Sequence, residues 1–215
     1  TPEESEEAED EEPETVFVEA ELTLKEYKDL YLQMQTIADK ASKSLVTVTA
    51  VNNDVDWFNE AYENLGQSTG MIIGDNGVEL LVLTKYSVVE ACDGINVAFV
   101  DGTSASAVLK RYDITTSLAV ISVNLSDISD DTKELIAKAT LGNSMRLKPG
   151  TPVIALGQAD GSAESMKIGT LTSVKNKQSV VDAEYTILVT VMMKNEGYNG
   201  VLIDLDGQVV GVIQE

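Results

Sequence analysis

The spacing of apolar residues changes once along this chain, and the change divides it. From Leu24 onward Tyr27, Leu30, Tyr31, Met34, Ile37 and Ala41 recur at intervals of three and four, which lays them along one side of a helix. Thr23 stands just before this run with Glu26 three residues on, the reciprocal pairing that closes a helix start. One amphipathic helix is therefore expected over 24–42. Ahead of it, Val16 and Val18 alternate weakly within residues 15–20, a short strand or a linker. Beyond Leu45 the period falls toward two. Short runs rich in Val, Ile, Thr and Leu cover 45–51, 69–75, 79–85, 95–102, 104–113, 118–124, 151–157, 167–174 and 184–193, with turn residues between them. They read as strands. The stretch 200–214 reads as a hairpin turning at Asp206-Gly207. With no second long helix, an all-β sandwich or a pair of barrels is expected. A short helical turn within 129–140 bridges the halves.

Charge adds a feature that the pattern does not show. The net charge is −21 over 215 residues, yet nine carboxylates and no basic side chain fall within the first 15, leaving −12 on the other 200. Residues 1–14 bury nothing and repel one another, so a disordered acidic tail is expected there. An acidic surface repels phosphate, which argues against nucleic acid, and no basic amphipathic stretch suits anionic lipid. Cationic peptides remain compatible. The single Cys92 excludes an internal disulfide and sits beside Val88 and Val89, as a packed, unreactive thiol does more often than a reactive one. Neither a membrane-spanning run nor a signal peptide is visible. Because the chain opens directly on the acidic run, this leaves location undecided.

The order of the strands carries more than their number. "STGMIIGDNGVELLVLTKYSVVEA", "INVAFVDGTSASAVLKRYDITTSLAVISV", "LGNSMRLKPGTPVIALGQ", "KIGTLTSV" and "GYNGVLIDLDGQVVGV" follow one another at separations that resemble the trypsin-like protease domain of the HtrA/Deg family, from Ile37 to the end of the chain. The resemblance implies a trypsin-like double β-barrel preceded by one amphipathic helix. The expected division is a tail over 1–14, a linker and helix over 15–44, a first barrel over 45–125, a connection over 126–140 and a second barrel over 141–215. In that family a further strand, and commonly a peptide-binding PDZ domain, follows the last motif. The second barrel is accordingly expected to lack its last strand, unless residues 15–20 fold back to supply it.

The chemistry that the resemblance implies is interrupted at each catalytic position. The family's general base is a His in "LTNxHVV". Here the segment reads Leu83-Thr84-Lys85-Tyr86-Ser87-Val88-Val89, with Ser87 in its place, and the chain contains no His at all. The orienting Asp of "DxxTDLAVI" corresponds to Ser117, and the nucleophile of "GNSGGPL" to Tyr198. The first glycine of that loop corresponds to Glu196, which precedes Gly197 and would set a carboxylate beside a developing oxyanion. Without an imidazole nothing takes the proton of a hydroxyl near neutral pH. Lys85 lies two residues from Ser87, but such spacing more often separates two side chains than makes a Ser-Lys pair. "DNG" at 75–77 and "DLDG" at 204–207 lack the further ligands of a calcium loop, so no metal or cofactor is expected.

What remains is a non-catalytic domain that binds protein or extended peptide, with Lys or Arg favoured in the ligand. The insertion 52–67 holds the only Trp, Trp57, near Phe58 and Tyr62. These rings either plug a barrel end or form a contact surface. The strand at 189–193, with Val189, Val191 and Met193 on one side, is the other expected contact. The alternatives are an HtrA endopeptidase with unrecognised residual activity and a structural scaffold of the cell envelope. The resemblance further implies a bacterial, extracytoplasmic setting, with the tail as spacer from a membrane anchor upstream of Thr1. Neither the oligomeric state nor the partner can be read from these residues.

Overall fold

The computed structural model describes residues 22–51, 54–55, 61–62, 66–158, 165–180, 183–190, 192 and 199–213. The acidic tail and residues 15–20 lie outside them. The first element, α1 (Leu24–Ser42), starts where the pattern places it. The Thr23 hydroxyl accepts from the Glu26 amide while the Glu26 carboxylate accepts from the Thr23 amide at 2.8 Å. Capping of this kind satisfies donors that the first turn leaves open.

Only the second half of α1 is packed. Met34 and Ala38 are buried among Met71, Ile154, Leu156 and Val201, with Ile37 beside them. Helical period identifies the apolar side but not the length of the surface it meets: Leu30 lies in step with the stripe and is 48% exposed. Leu30→Asp is therefore expected to cost less than about 1 kcal/mol in urea unfolding, whereas Met34→Asp, which strands a charge in the core, costs about 3 kcal/mol or more.

Six strands then close a barrel. They are β1 (Leu45–Val51), β4 (Gln67–Asp75), β5 (Glu79–Lys85), β6 (Gly94–Ala98), β7 (Ser104–Asp113) and β8 (Leu118–Asn124), in the order β1-β4-β5-β8-β7-β6. Between β1 and β4 the insertion carries a two-stranded ribbon, β2 (Asp54–Val55) and β3 (Ala61–Tyr62). Alternation explains the barrel: β1 and β5 both bury every second residue, and Val48, Ile72, Val82, Val97, Ile121 and Val123 fill the interior. A short helix, α2 (Tyr86–Val89), follows β5 directly, where the pattern implied only strand and turn.

The connection between the halves contains α3 (Asp130–Leu135), capped by the Ser129 hydroxyl. The buried Thr132 hydroxyl donates to Asp101 Oδ2 at 2.7 Å, and Asp101 also accepts from the Thr103 amide and hydroxyl. These bonds hold the Asp101 carboxyl below its ordinary range and fasten the connection to the turn between β6 and β7.

The second half is a five-stranded antiparallel sheet among the described residues: β9 (Pro152–Gln158), β10 (Ser165–Val180), β11 (Ala183–Thr190), β12 (Asn199–Ile203) and β13 (Val209–Ile213). Its order is β11-β10-β9-β12-β13, so β11 and β13 are the edges. Its inner face packs Val153, Ala155, Leu171, Leu202, Val210 and Ile213. β10 is twice the length that its apolar pattern suggested. It pairs with β9 over 165–170 and with β11 over 171–180, and its second half includes the polar run Lys175-Asn176-Lys177-Gln178, which carries no strand signal.

Candidate functional site

Two of the three replaced catalytic positions meet at one end of the first barrel. β5 ends at Lys85, which pairs with Leu118 at the start of β8. One residue further along each strand, the Tyr86 amide donates to the Ser117 carbonyl at 2.8 Å. Ser87, the next residue of α2, is exposed, and Ser117 is half-buried. The two serines thus flank a single backbone bond although 30 residues separate them in sequence.

Ser117 is the one non-glycine with positive φ among the described residues, at 54°. The turn before it is held by Asp113, whose Oδ1 accepts from the Thr115 amide at 2.9 Å and whose Oδ2 accepts from the Thr116 hydroxyl at 2.9 Å. Those bonds keep the Asp113 carboxyl below its usual range. A left-handed residue strains any side chain branched at Cβ, while Asn and Asp tolerate it best. Ser117→Val is accordingly expected to lower stability by about 1–2 kcal/mol and Ser117→Asn to leave it unchanged or slightly raised, read as midpoints of urea unfolding.

The third position, Tyr198, lies outside the described residues with Glu196 and Gly197, but the residue after it is anchored. Asn199 is buried, and its Oδ1 accepts from the Thr69 amide of β4 at 2.6 Å. Gly157, Gly200 and Thr69 pack together here: a Cβ built on Gly157 would lie 2.7 Å from Thr69 Oγ1 and 2.8 Å from Gly200 Cα. Lys85, Leu118 and Asn199, each one or two residues from a replaced position, line one cavity of about 20 Å³ with Thr69 and Thr84. Neighbours of Ser87 and Ser117 thus meet Asn199 at one place between the sheets. Leu118 also lines a larger neighbouring cavity of about 530 Å³, with Thr116, Ile187, Leu188 and Val212.

Sequence reasoning missed the polar tie between Thr69 and Asn199, 130 residues apart, and a pair of aromatic rings beside Ser87. Tyr86 stacks on Tyr112 with centroids 4.5 Å apart and planes 8° from parallel. Tyr112 reaches it because Tyr112 pairs with Ala119 across β8, a register that the turn at 113–117 sets. Tyr112 and Ile114 remain exposed beside the stack.

The expected binding residues are less assembled. Val189 lies on the edge strand β11, opposite Ser173, and is 38% exposed. Tyr62 belongs to β3, whose backbone alone is described. Trp57, Phe58, Val191 and Met193 lie outside the described residues. Cys92 is half-buried, and burial, the largest cause, raises its thiol pKa, as suits an unreactive packed thiol. No cluster of three metal-ligating side chains occurs among the described residues.

Comparison with known proteins agrees with this geometry. Residues 68–212 match the family model described as a trypsin-like peptidase domain. A probable periplasmic serine endoprotease of DegP-like type from Chlamydia trachomatis is 30% identical over 147 residues, which is 68% of this chain and 27% of that protein. The serine protease Do-like HtrA of Lactococcus lactis subsp. cremoris is 27% identical over 164 residues, 73% of this chain and 39% of that one. The chain thus spans well under half the length of these relatives. Among solved structures, the HtrA-type protease AlgW with tripeptide superimposes with a TM-score of 0.65 at 21% identity, covering 83% of this chain and 53% of that one. That likeness shows the shared double-barrel fold.

Proposed function

Because the chain belongs to the trypsin-like peptidase domain family, of HtrA/DegP type, we propose that it is a non-catalytic member which binds polypeptide where its relatives cut it. One observation carries this reading: no histidine exists anywhere in the chain, and the position where the family keeps one is Ser87, exposed on α2. Acyl transfer needs a base that accepts the nucleophile's proton and returns it to the leaving group. Neither Ser87 nor Ser117 titrates in that range. By motif, Tyr198 corresponds to the nucleophile and Glu196 to the loop's first glycine, where a carboxylate would disfavour a neighbouring oxyanion. The contact surface proposed for an extended peptide is the β11 edge at Val189 continuing to Val191 and Met193, together with Trp57, Phe58 and Tyr62. The acidic body favours a ligand with Lys or Arg.

The DegP-like relatives are named periplasmic, and an extracytoplasmic place at the bacterial envelope is proposed for this chain on that basis. Among the described residues no helix is long and apolar enough to cross a membrane. The relatives' names, all serine proteases, favour a second reading in which some endopeptidase activity persists. An active-site-directed fluorophosphonate separates the two. The purified chain is expected to take up no label while an active HtrA protease labels fully beside it. Stoichiometric labelling, or casein cleavage that the same reagent blocks, would establish the enzyme reading instead.

A further inference from the structure

A cavity of about 460 Å³ opens where the last turn of α1, the start of β1, the end of β6 and the facing ends of β9 and β10 meet. Its size is that of sites which hold small molecules. Leu45, Phe99, Leu156 and Met166 give it apolar walls, Phe99 and Leu156 being buried and the other two half-buried. Among the described residues two charged side chains line it, Asp39 and Lys43. Both are exposed, and among the described residues neither enters an ion pair or a side-chain hydrogen bond. A carboxylate and an ammonium thus stand ready beside an apolar hollow.

Their spacing selects the occupant. Asp39 and Lys43 are four residues apart, and Lys43, the C-cap, keeps helical backbone at φ −61° and ψ −17°. Positions so related put their stems about 6 Å apart on one side of a helix. A single residue spans about 3.5 Å between its termini, two extended residues about 7 Å and three about 10 Å. A free dipeptide therefore matches the pair, with its ammonium at one end and its carboxylate at the other. The apolar walls between them favour apolar side chains in it.

The floor of the cavity is shared with the replaced catalytic site. Thr69 and Gly157 line it; the Thr69 amide is the one that donates to Asn199 Oδ1, and Gly157 pairs with Gly200. No slack separates them, since a Cβ on Gly157 would lie 2.7 Å from Thr69 Oγ1 and 2.8 Å from Gly200 Cα. A ligand pressed on this floor is felt at Asn199.

We propose that this cavity binds a dipeptide with apolar side chains, its ammonium at Asp39 and its carboxylate at Lys43, and that the bound dipeptide shifts the tie between Thr69 and Asn199. The site is separate from the β11 edge proposed for extended peptides and does not depend on the loss of catalysis.

The test titrates the dipeptide Leu-Phe into the isotope-labelled full chain and follows backbone amide signals by NMR, with the same dipeptide blocked at both ends as control. Signals of Ser42, Lys43, Phe99, Thr69 and Asn199 are expected to move together along one saturable curve. The blocked dipeptide is expected to bind at least about tenfold more weakly, a difference of about 1.4 kcal/mol. Lys43→Gln weakens the free dipeptide but not one amidated at its C-terminus, and Asp39→Asn weakens the free dipeptide but not one acetylated at its N-terminus. Both side chains are exposed, so these variants keep the parent's fold, and the pairing of each with its blocked ligand separates a direct charge contact from a general loss. Equal binding of free and blocked dipeptides, or binding indifferent to both replacements, overturns the proposal. So do shifts confined to β11, which assign the dipeptide to the extended-peptide surface. Shifts at Ser42, Lys43 and Phe99 that leave Thr69 and Asn199 unmoved overturn the link to the tie.

Discussion

Gly200→Ala is expected to destabilise the protein by about 3–5 kcal/mol, lowering its melting temperature by roughly 10 °C. Two costs combine. The residue has φ 151°, a backbone setting that strains a side chain, and a Cβ there would lie 2.1 Å from the Leu156 carbonyl oxygen and 3.2 Å from Gly157 Cα. Both neighbours are backbone of β9, which pairs with β12 through Gly200↔Gly157 and Val201↔Leu156. Relief of the clash therefore requires the two central strands to separate, and no side-chain rotation suffices. Gly74→Ala is the control, since nothing lies within 4 Å of a Cβ built there, and it is expected to stay within about 0.5 kcal/mol of the parent. Thermal and urea unfolding of the two variants decide the matter. Equal midpoints would mean that β12 does not lie against β9 in this register.

Where alternation is strict, sequence and structure agree to the residue. β1 and β5 occupy the runs at 45–51 and 79–85, because each buries every second residue and a shift by one would invert the faces; β7 and β8 also keep the runs at 104–113 and 118–124, with less regular burial. α1 was equally legible because its cap and its period agree. Less legible elements answer to partners distant in sequence. The segment Tyr86-Ser87-Val88-Val89 continues the apolar run of β5 and is rich in β-branched residues, yet it turns helical as the Tyr86 amide is taken by the Ser117 carbonyl, a tertiary contact overriding local preference. β10 extends through a polar run because β11 supplies its hydrogen bonds. Leu30 obeys the helical period and is still exposed, since period reports a direction and not the extent of what lies there.

The site divides along the same line. Ser87, Ser117 and Tyr198 were found by position within short motifs, each readable on its own. What joins Ser87 to Ser117 is the pairing of Lys85 with Leu118, and what ties Asn199 to the first barrel is its bond to Thr69, pairings between segments that no local pattern connects. Ser117 shows what a motif leaves out. Its φ of 54° is a backbone requirement of the turn, and Asp satisfies that requirement better than Ser does. On the proposed reading, the turn has kept the geometry of a position whose chemistry is gone.

Rebuilding the chemistry is the stronger test of that statement. Tyr198→Ser alone is expected to leave peptide hydrolysis at background, because a serine hydroxyl without a base is a poor nucleophile near neutral pH. The combination Tyr198→Ser, Ser87→His, Ser117→Asp and Glu196→Gly is expected to exceed the single variant by about 10²-fold or more, a modest share of the roughly 10⁶ that a complete triad contributes. The expectation is modest because four side chains are restored without reshaping the backbone that has to position a substrate against them. The helix and turn that carry residues 87 and 117 are already joined by the Tyr86–Ser117 bond of 2.8 Å, so a His and an Asp enter backbone that holds them side by side. Hydrolysis by Tyr198→Ser alone would show that another group serves as base and would end the account of a lost triad. Silence from the fourfold variant, with its melting temperature intact, would show that residue 198 does not face Ser87 across the cleft, and the domain would then be a binding scaffold whose catalytic ancestry is confined to its fold.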